Sequence, residues 1–172
     1  VLEATDDISN PQIIPVDYEG IANDVKAGDK ILLDDGKIGL QVLEVKDSKV
    51  RTKVLYGSLL KARKGINLPG STASLDAVTA RDKEYIRFAV EYDADYIALS
   101  FVREARDIEL AKKYIKDYGG NIPVVAKIEK PQAVEKLEEI LKVSDGIMVA
   151  RGDLGIEMSP EEVPIVQKFI VD

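Results

Sequence analysis

Lys127 and Glu129 lie two residues apart and follow Val124-Val125-Ala126 with no turn residue between. In extended backbone, positions i and i+2 point to the same side, so the pair can address one ligand. A second chemical cluster comes after Ile147-Met148-Val149-Ala150, where an apolar run is broken by Arg151-Gly152-Asp153 and then Gly155. A lysine and two carboxylates converging at neighbouring strand ends make a metal and anion site. Two carboxylates, completed by ligand oxygens and water, commonly hold magnesium beside a phosphate. The plainer alternative for Lys127-Ile128-Glu129-Lys130 is a solvated strand exit, and for the glycines an ordinary turn. An Arg-Gly-Asp adhesion tripeptide is disfavoured by its flanks, a buried-type strand and a capped helix, and by the lack of cysteines or a signal sequence. Gly152 and Gly155 are read as points where backbone nears a ligand or takes positive φ, exposing amide groups beside Asp153. Arg151 either contacts substrate or braces the loop.

Composition limits the chemistry further. The 172 residues contain no cysteine and no histidine. Acid-base work therefore falls to Asp, Glu, Lys, Tyr or water, and a metal must accept oxygen ligands, which favours hard ions. The net charge of -7 argues against nucleic-acid or anionic-membrane partners, which require a basic surface. Apolar residues at 45% and charged residues at 32% are ordinary for a folded globular chain. No run has signal-peptide or membrane-span character, so a cytoplasmic location is the expectation. The chain opens on VLEAT without an initiator methionine and stops within a helical pattern, which makes an excerpt of a longer chain the expectation.

The elements that must position these residues change character along the chain. Lys30 to Asp34, Asp35-Gly36, and Lys37 to Val45 read as a hairpin, and Lys49 to Tyr56 adds a third strand after a turn at Lys46-Asp47-Ser48. A short helix or irregular segment is expected within Asp17 to Lys26. From about residue 65 strands and helices alternate. Thr79 caps a helix with Asp82 in its first turn and Ile86, Ala89 and Val90 on its apolar face. The strand Tyr96 to Val102 follows, then a helix from Asp107 to Tyr118 with Ile108, Ala111 and Ile115 on a stripe and Gly119 as its stop. The strand Ile122 to Ile128 leads to a Pro131-started helix with Val134, Leu137 and Leu141 inward, and the strand Gly146 to Ala150 to the opening loop. Ser159-Pro160-Glu161-Glu162 reads as a capping box for the last helix. Continuous apolar strands alternating with helices predict parallel β/α architecture. Without a glycine-rich nucleotide fingerprint, part of a β/α barrel fits better than a doubly wound nucleotide-binding fold, with reactive groups at the C-terminal strand ends.

Four stretches in order, Lys64-Gly65-Ile66-Asn67-Leu68-Pro69-Gly70, Leu99-Ser100-Phe101-Val102-Arg103, Ala126-Lys127-Ile128-Glu129 and Ser144 to Glu157, together resemble pyruvate kinase. The resemblance reaches back to the Asp34-Asp35-Gly36 hairpin and covers nearly the whole chain. It implies a partial (β/α)8 TIM barrel of three consecutive units, residues 67–172, preceded by the later part of a small antiparallel β lid domain, residues 1–66. The implied reaction moves the phosphoryl group of phosphoenolpyruvate to ADP, giving pyruvate and ATP, with Mg2+ or Mn2+ and K+. Lys127 matches the family lysine that neutralises the transferring phosphoryl group and the enolate. Glu129 and Asp153 match the divalent-metal ligands, the Gly152 and Asp153 amides the substrate-carboxylate site, and Lys64 a nucleotide-phosphate contact.

The family's arginine and K+ ligands, and the threonine-linked water network that protonates the enolate, match no position of this chain. The resemblance therefore implies an inactive excerpt of an active enzyme whose parent forms a homotetramer. Two other readings stand beside it: a metal-dependent pyruvate-enolate aldolase or lyase of the related barrel type, and a non-catalytic fold fragment.

Overall fold

The structure is a computed structural model that describes residues 1–7, 9–71 and 78–172. It divides into two compact units, Val1–Leu75 and Asp76–Asp172.

Among the described residues, the first unit is a sheet with one short helix. Its elements are β1 (Leu2–Glu3), β2 (Ile14–Pro15), α1 (Ile21–Asp24), β3 (Lys30–Leu33), β4 (Ile38–Lys46), β5 (Lys49–Tyr56) and β6 (Ile66–Asn67). The strands lie in the order β2-β1-β5-β4-β3-β6. The expected hairpin forms, with Leu33 opposite Ile38. Its loop needs left-handed backbone at three successive residues, Asp34, Asp35 and Gly36 (φ 51°, 56° and 80°), and Asp and Gly are the types that tolerate it. The next turn is tighter: Lys46 pairs with Lys49, leaving Asp47 and Ser48 as the loop, with Asp47 at φ 53°. Leu2, Ile31, Leu40, Val42 and Val50 make the core of this sheet, joined by Ile21 from α1. Ile66 and Asn67 close it by pairing with Leu33 and Leu32.

The second unit contains α2 (Ala80–Glu91), β7 (Ile97–Leu99), α3 (Ala105–Asp117), β8 (Val124–Ile128), α4 (Pro131–Glu135), α5 (Leu137–Val143), β9 (Gly146–Val149), α6 (Arg151–Glu157) and α7 (Val163–Val171). Strands β7, β8 and β9 form a parallel sheet in chain order, as the alternating pattern requires. Leu99, Val124, Ala126 and Ile128 are buried with Ile108, Ala111 and Ile115 of α3, so this face of the sheet carries the helices. Ala98, Val125, Lys127 and Met148 share the other face. Among the described residues, no helix is long and apolar enough to cross a membrane.

Local signals placed several helix ends. Thr79 caps α2: its hydroxyl accepts from Asp82 N at 3.2 Å, and its own amide donates to Asp82 Oδ2 at 2.9 Å. Removing the hydroxyl leaves one first-turn amide without that partner. Thr79→Ala is therefore expected to cost about 1 kcal/mol of unfolding free energy, measured by urea denaturation; a loss below about 0.3 kcal/mol would contradict the capping role. In α3 the Asp107 carboxylate accepts from Arg103 N and Glu104 N, so the helix starts two residues earlier than expected. Gly119 stops it at φ 84°.

Other expectations are corrected. The Pro131 helix is two helices broken at Lys136, and the buried stripe runs through Ala133, Leu137 and Ile140 while Leu141 is 44% exposed. The capping box at Ser159 closes a turn before the last helix, with Ser159 N and Oγ donating to Glu162 Oε2. Helix α7 itself begins at Val163, which puts Pro164 in the first turn, where its missing N–H is harmless. The strand from Tyr96 is only three residues long. It ends because Phe101 takes φ 58°, a left-handed value that no extended strand accommodates.

At the opposite ends of the strands, Asp145 ties β8 to the start of β9. Val124 N donates to Asp145 Oδ2 at 2.8 Å, and Lys112 Nζ lies 2.7 Å from the same oxygen. The Lys112 ammonium, and then the Val124 amide, hold the Asp145 carboxyl below the usual range. A depressed folded-state pKa stabilises above the unfolded value near 4, and that contribution fades as pH falls through the folded pKa. Asp145→Asn is expected to cost about 1 kcal/mol at pH 7, the scale of a half-exposed ion pair. The gap to wild type should narrow in urea titrations at pH 3; an unchanged gap would contradict the ion pair.

Candidate active site at the strand ends

Lys127, Glu129, Arg151 and Asp153 lie at or just beyond the C-terminal ends of β8 and β9. The register Leu99 opposite Ala126 carries Ser100 alongside Lys127, and Lys127 Nζ donates to Ser100 Oγ at 2.9 Å. Alternation along the strand sets Glu129 on the same side, where its Oε1 forms an ion pair with Lys127. Its Oε2 accepts from Phe101 N at 3.0 Å. The left-handed turn at Phe101 that ends β7 thus coincides with an amide donated to Glu129. Glu129 is 3% exposed, whereas the Lys127 side chain is 24% exposed. A carboxylate so buried requires these partners. The lysine remains reachable, and Ser100 and Glu129 take two of its three donors.

The stretch after β9 differs from the expected loop. Strand β9 passes through Ala150 directly into α6, and Leu154 N donates to Ala150 O at 2.9 Å as the first step of its ladder. Arg151, Gly152 and Asp153 form the first turn, so their amides precede that ladder. Gly152 and Gly155 are helical, and neither takes positive φ, so helical backbone corrects the positive-φ expectation and the ordinary-turn alternative. Arg151, Gly152 and Asp153 are solvent-exposed, and Leu154 is fully buried beneath them.

Lys64 lies in the first unit with Nζ 2.9 Å from Asp34 Oδ1, and Lys37 Nζ is 3.4 Å from Asp34 Oδ2. The Lys64 ammonium lowers the Asp34 pKa, and Asp34 in turn raises that of Lys64.

Sequence reasoning missed a second pair beside the first. Lys130 Nζ donates to Glu157 Oε1 at 2.9 Å, with side-chain exposures of 16% and 4%, and the same ammonium sits 5.9 Å from the Phe101 ring centroid. The partners are 27 residues apart, and no local pattern links them.

By the chemistry of their oxygens, Glu129 and Asp153 would suit a hard divalent cation. Glu129 and Asp153 offer only carboxylate oxygens, and each Glu129 oxygen has a second lone pair beyond its present contact. Among the described residues no group of three His, Cys, Asp or Glu side chains forms a metal cluster, so a two-carboxylate site would be completed by ligand and water oxygens.

A parallel α/β unit with a lysine and carboxylates at the C-terminal ends of its strands has the arrangement of β/α enzymes, whose reactive groups gather there. The chain belongs to the pyruvate kinase family: the description "Pyruvate kinase, barrel domain" matches residues 2–172. A pyruvate kinase of Thermotoga maritima is 49% identical over 164 residues, covering 95% of this chain and 35% of the relative. A pyruvate kinase of Staphylococcus aureus (strain MRSA252) is 45% identical over 163 residues, covering 94% of this chain and 28% of the relative. The chain therefore spans about a third of the length of these curated relatives.

Proposed function

We infer that this chain carries part of the catalytic machinery of a pyruvate kinase, which transfers the phosphoryl group of phosphoenolpyruvate to ADP and yields pyruvate and ATP. The observation that carries the reading is the convergence of Lys127, Ser100 and Glu129 at adjacent parallel strand ends in a member of this family. That its relatives are pyruvate kinases favours phosphoryl transfer over the aldolase or lyase reading. Residues 67–172 are read as three units of a (β/α)8 barrel, and residues 1–66 as part of a lid domain. A cytoplasmic homotetramer working in glycolysis is the matching whole protein, with K+ bound by residues outside this chain.

Phosphoryl transfer asks mainly for alignment and charge neutralisation, so a site without histidine or cysteine is sufficient. Lys127 binds the phosphoryl oxygens with its remaining donor and offsets the charge that develops on the enolate. Ser100 and Glu129 hold its ammonium in place. The Gly152 and Asp153 amides bind the substrate carboxylate, and Lys64 meets the nucleotide phosphates. Glu129 and Asp153 would hold Mg2+ or Mn2+, which supplies further charge neutralisation when bound.

The test uses two proteins: the 172-residue chain and a chain of the relatives' length that contains it. The longer chain should form ATP from phosphoenolpyruvate and ADP in a divalent-metal-dependent way, and the 172 residues alone should not. No ATP from the longer chain would overturn the kinase reading; turnover by the shorter one would overturn its incompleteness. Metal-dependent phosphoenolpyruvate binding that survives both Glu129→Ala and Asp153→Ala would overturn the assignment of the metal ligands.

A further inference from the structure

Helix α6 carries Gly152 and Asp153 in its first turn, yet it has little means of holding itself. It is seven residues long, and two of them are glycine, the poorest helix former after proline. Isolated helices of this length do not persist in water, so its placement depends on tertiary ties. One tie is Leu154, fully buried midway along it. Another is at its last residue, where Glu157 accepts from Lys130 at 2.9 Å. Lys130 is the N-cap residue of α4, one residue beyond Glu129. Its ammonium also faces the ring of Phe101, whose amide donates to Glu129. A single lysine therefore touches the helix that bears Asp153 and the residue that holds Glu129.

We propose that Lys130 and Glu157 are positioning residues, a part-buried ionic brace that fixes Asp153, through α6, relative to Glu129, through Phe101. The proposal rests on the reading of Glu129 and Asp153 as the metal ligands. An ion pair largely withdrawn from water contributes little net stability against an apolar replacement, because desolvation offsets the attraction. What it adds is direction, since Glu157 and the Phe101 ring together allow the ammonium one place. Phe101 itself stands at φ 58°, a backbone conformation costly for an aromatic residue and held only by its surroundings.

The test uses the 172-residue chain with Mn2+ as the probe, titrated by electron paramagnetic resonance, and amide hydrogen exchange read over residues 151–157. Lys130→Met and Glu157→Gln should each weaken Mn2+ binding about tenfold, the lower end of the range for groups that orient metal ligands. Each should also speed exchange in α6 while protection in α3 stays as in wild type. The charge-exchanged Lys130→Glu/Glu157→Lys chain should recover most of the affinity. If a single variant fails to fold, Lys130→Met/Glu157→Leu leaves no buried charge unpaired; it should fold and still bind Mn2+ weakly. Unchanged affinity and unchanged α6 exchange, in a background where Glu129→Gln does weaken Mn2+ binding, would overturn the brace. If wild type takes up no Mn2+, or Glu129→Gln has no effect, the metal-site reading falls instead. Exchange over residues 151–157 then decides the brace alone, and unaltered protection there overturns it.

Discussion

Lys127→Met, placed in a chain of the relatives' length, is expected to lower kcat for ATP formation by about 10²- to 10³-fold, the usual cost of removing one preorganised donor from a developing charge. The same change should destabilise the 172-residue chain by about 3 kcal/mol, because Glu129 would remain buried with its ionic partner gone. The Phe101 amide softens that loss without cancelling it. Lys127→Met/Glu129→Gln separates the two effects. Neutralising the stranded carboxylate should recover part of the stability in urea titrations, while the rate stays low. A single variant within tenfold of wild-type kcat would contradict the role of Lys127, whatever its stability.

The second large effect concerns the scaffold. Ile108 is fully buried on α3, the helix packed against α2, α5 and β8. Ile108→Ala removes methyl and methylene groups at the centre of that core, where neighbours on several elements cannot all collapse into the space. A loss of about 3–4 kcal/mol is expected, well above the cost of Ile→Val at the same position. Urea denaturation of the 172-residue chain measures it. A loss below about 1 kcal/mol would mean that α3 repacks freely and does not anchor the sheet.

The elements that proved readable are those governed by local chemistry. Thr79 and Asp82 are three residues apart and satisfy each other within one turn, so the start of α2 follows from the sequence. Asp34-Asp35-Gly36 tolerates the left-handed backbone its hairpin uses, so β3 and β4 follow as well. The stripe of Ile108, Ala111 and Ile115 marks the buried face of α3 because 3.6-residue periodicity is itself local. Misreadings arose where a neighbour outvoted the pattern. Leu141 fits the stripe of Val134 and Leu137, yet Ile140, one residue before it, takes the buried place. Gly152 and Gly155 resemble turn residues, and burial of Leu154 between them accompanies a helix instead.

The site divides along the same line. Lys127 and Glu129 share a side at the end of β8 because strand alternation is a property of two adjacent peptide units. Any metal chemistry must rest on oxygen donors, since no histidine or cysteine is present. Packing, by contrast, brings Ser100 to Lys127, the Phe101 amide to Glu129, and Lys130 to Glu157. Each of these joins residues 27 or 28 positions apart. Such separations acquire meaning only when parallel pairing fixes the register between strands, with Leu99 beside Ala126 and Ile128 beside Val149. Register is a property of the packed sheet, settled by how its buried face meets the helices, and no single segment carries it.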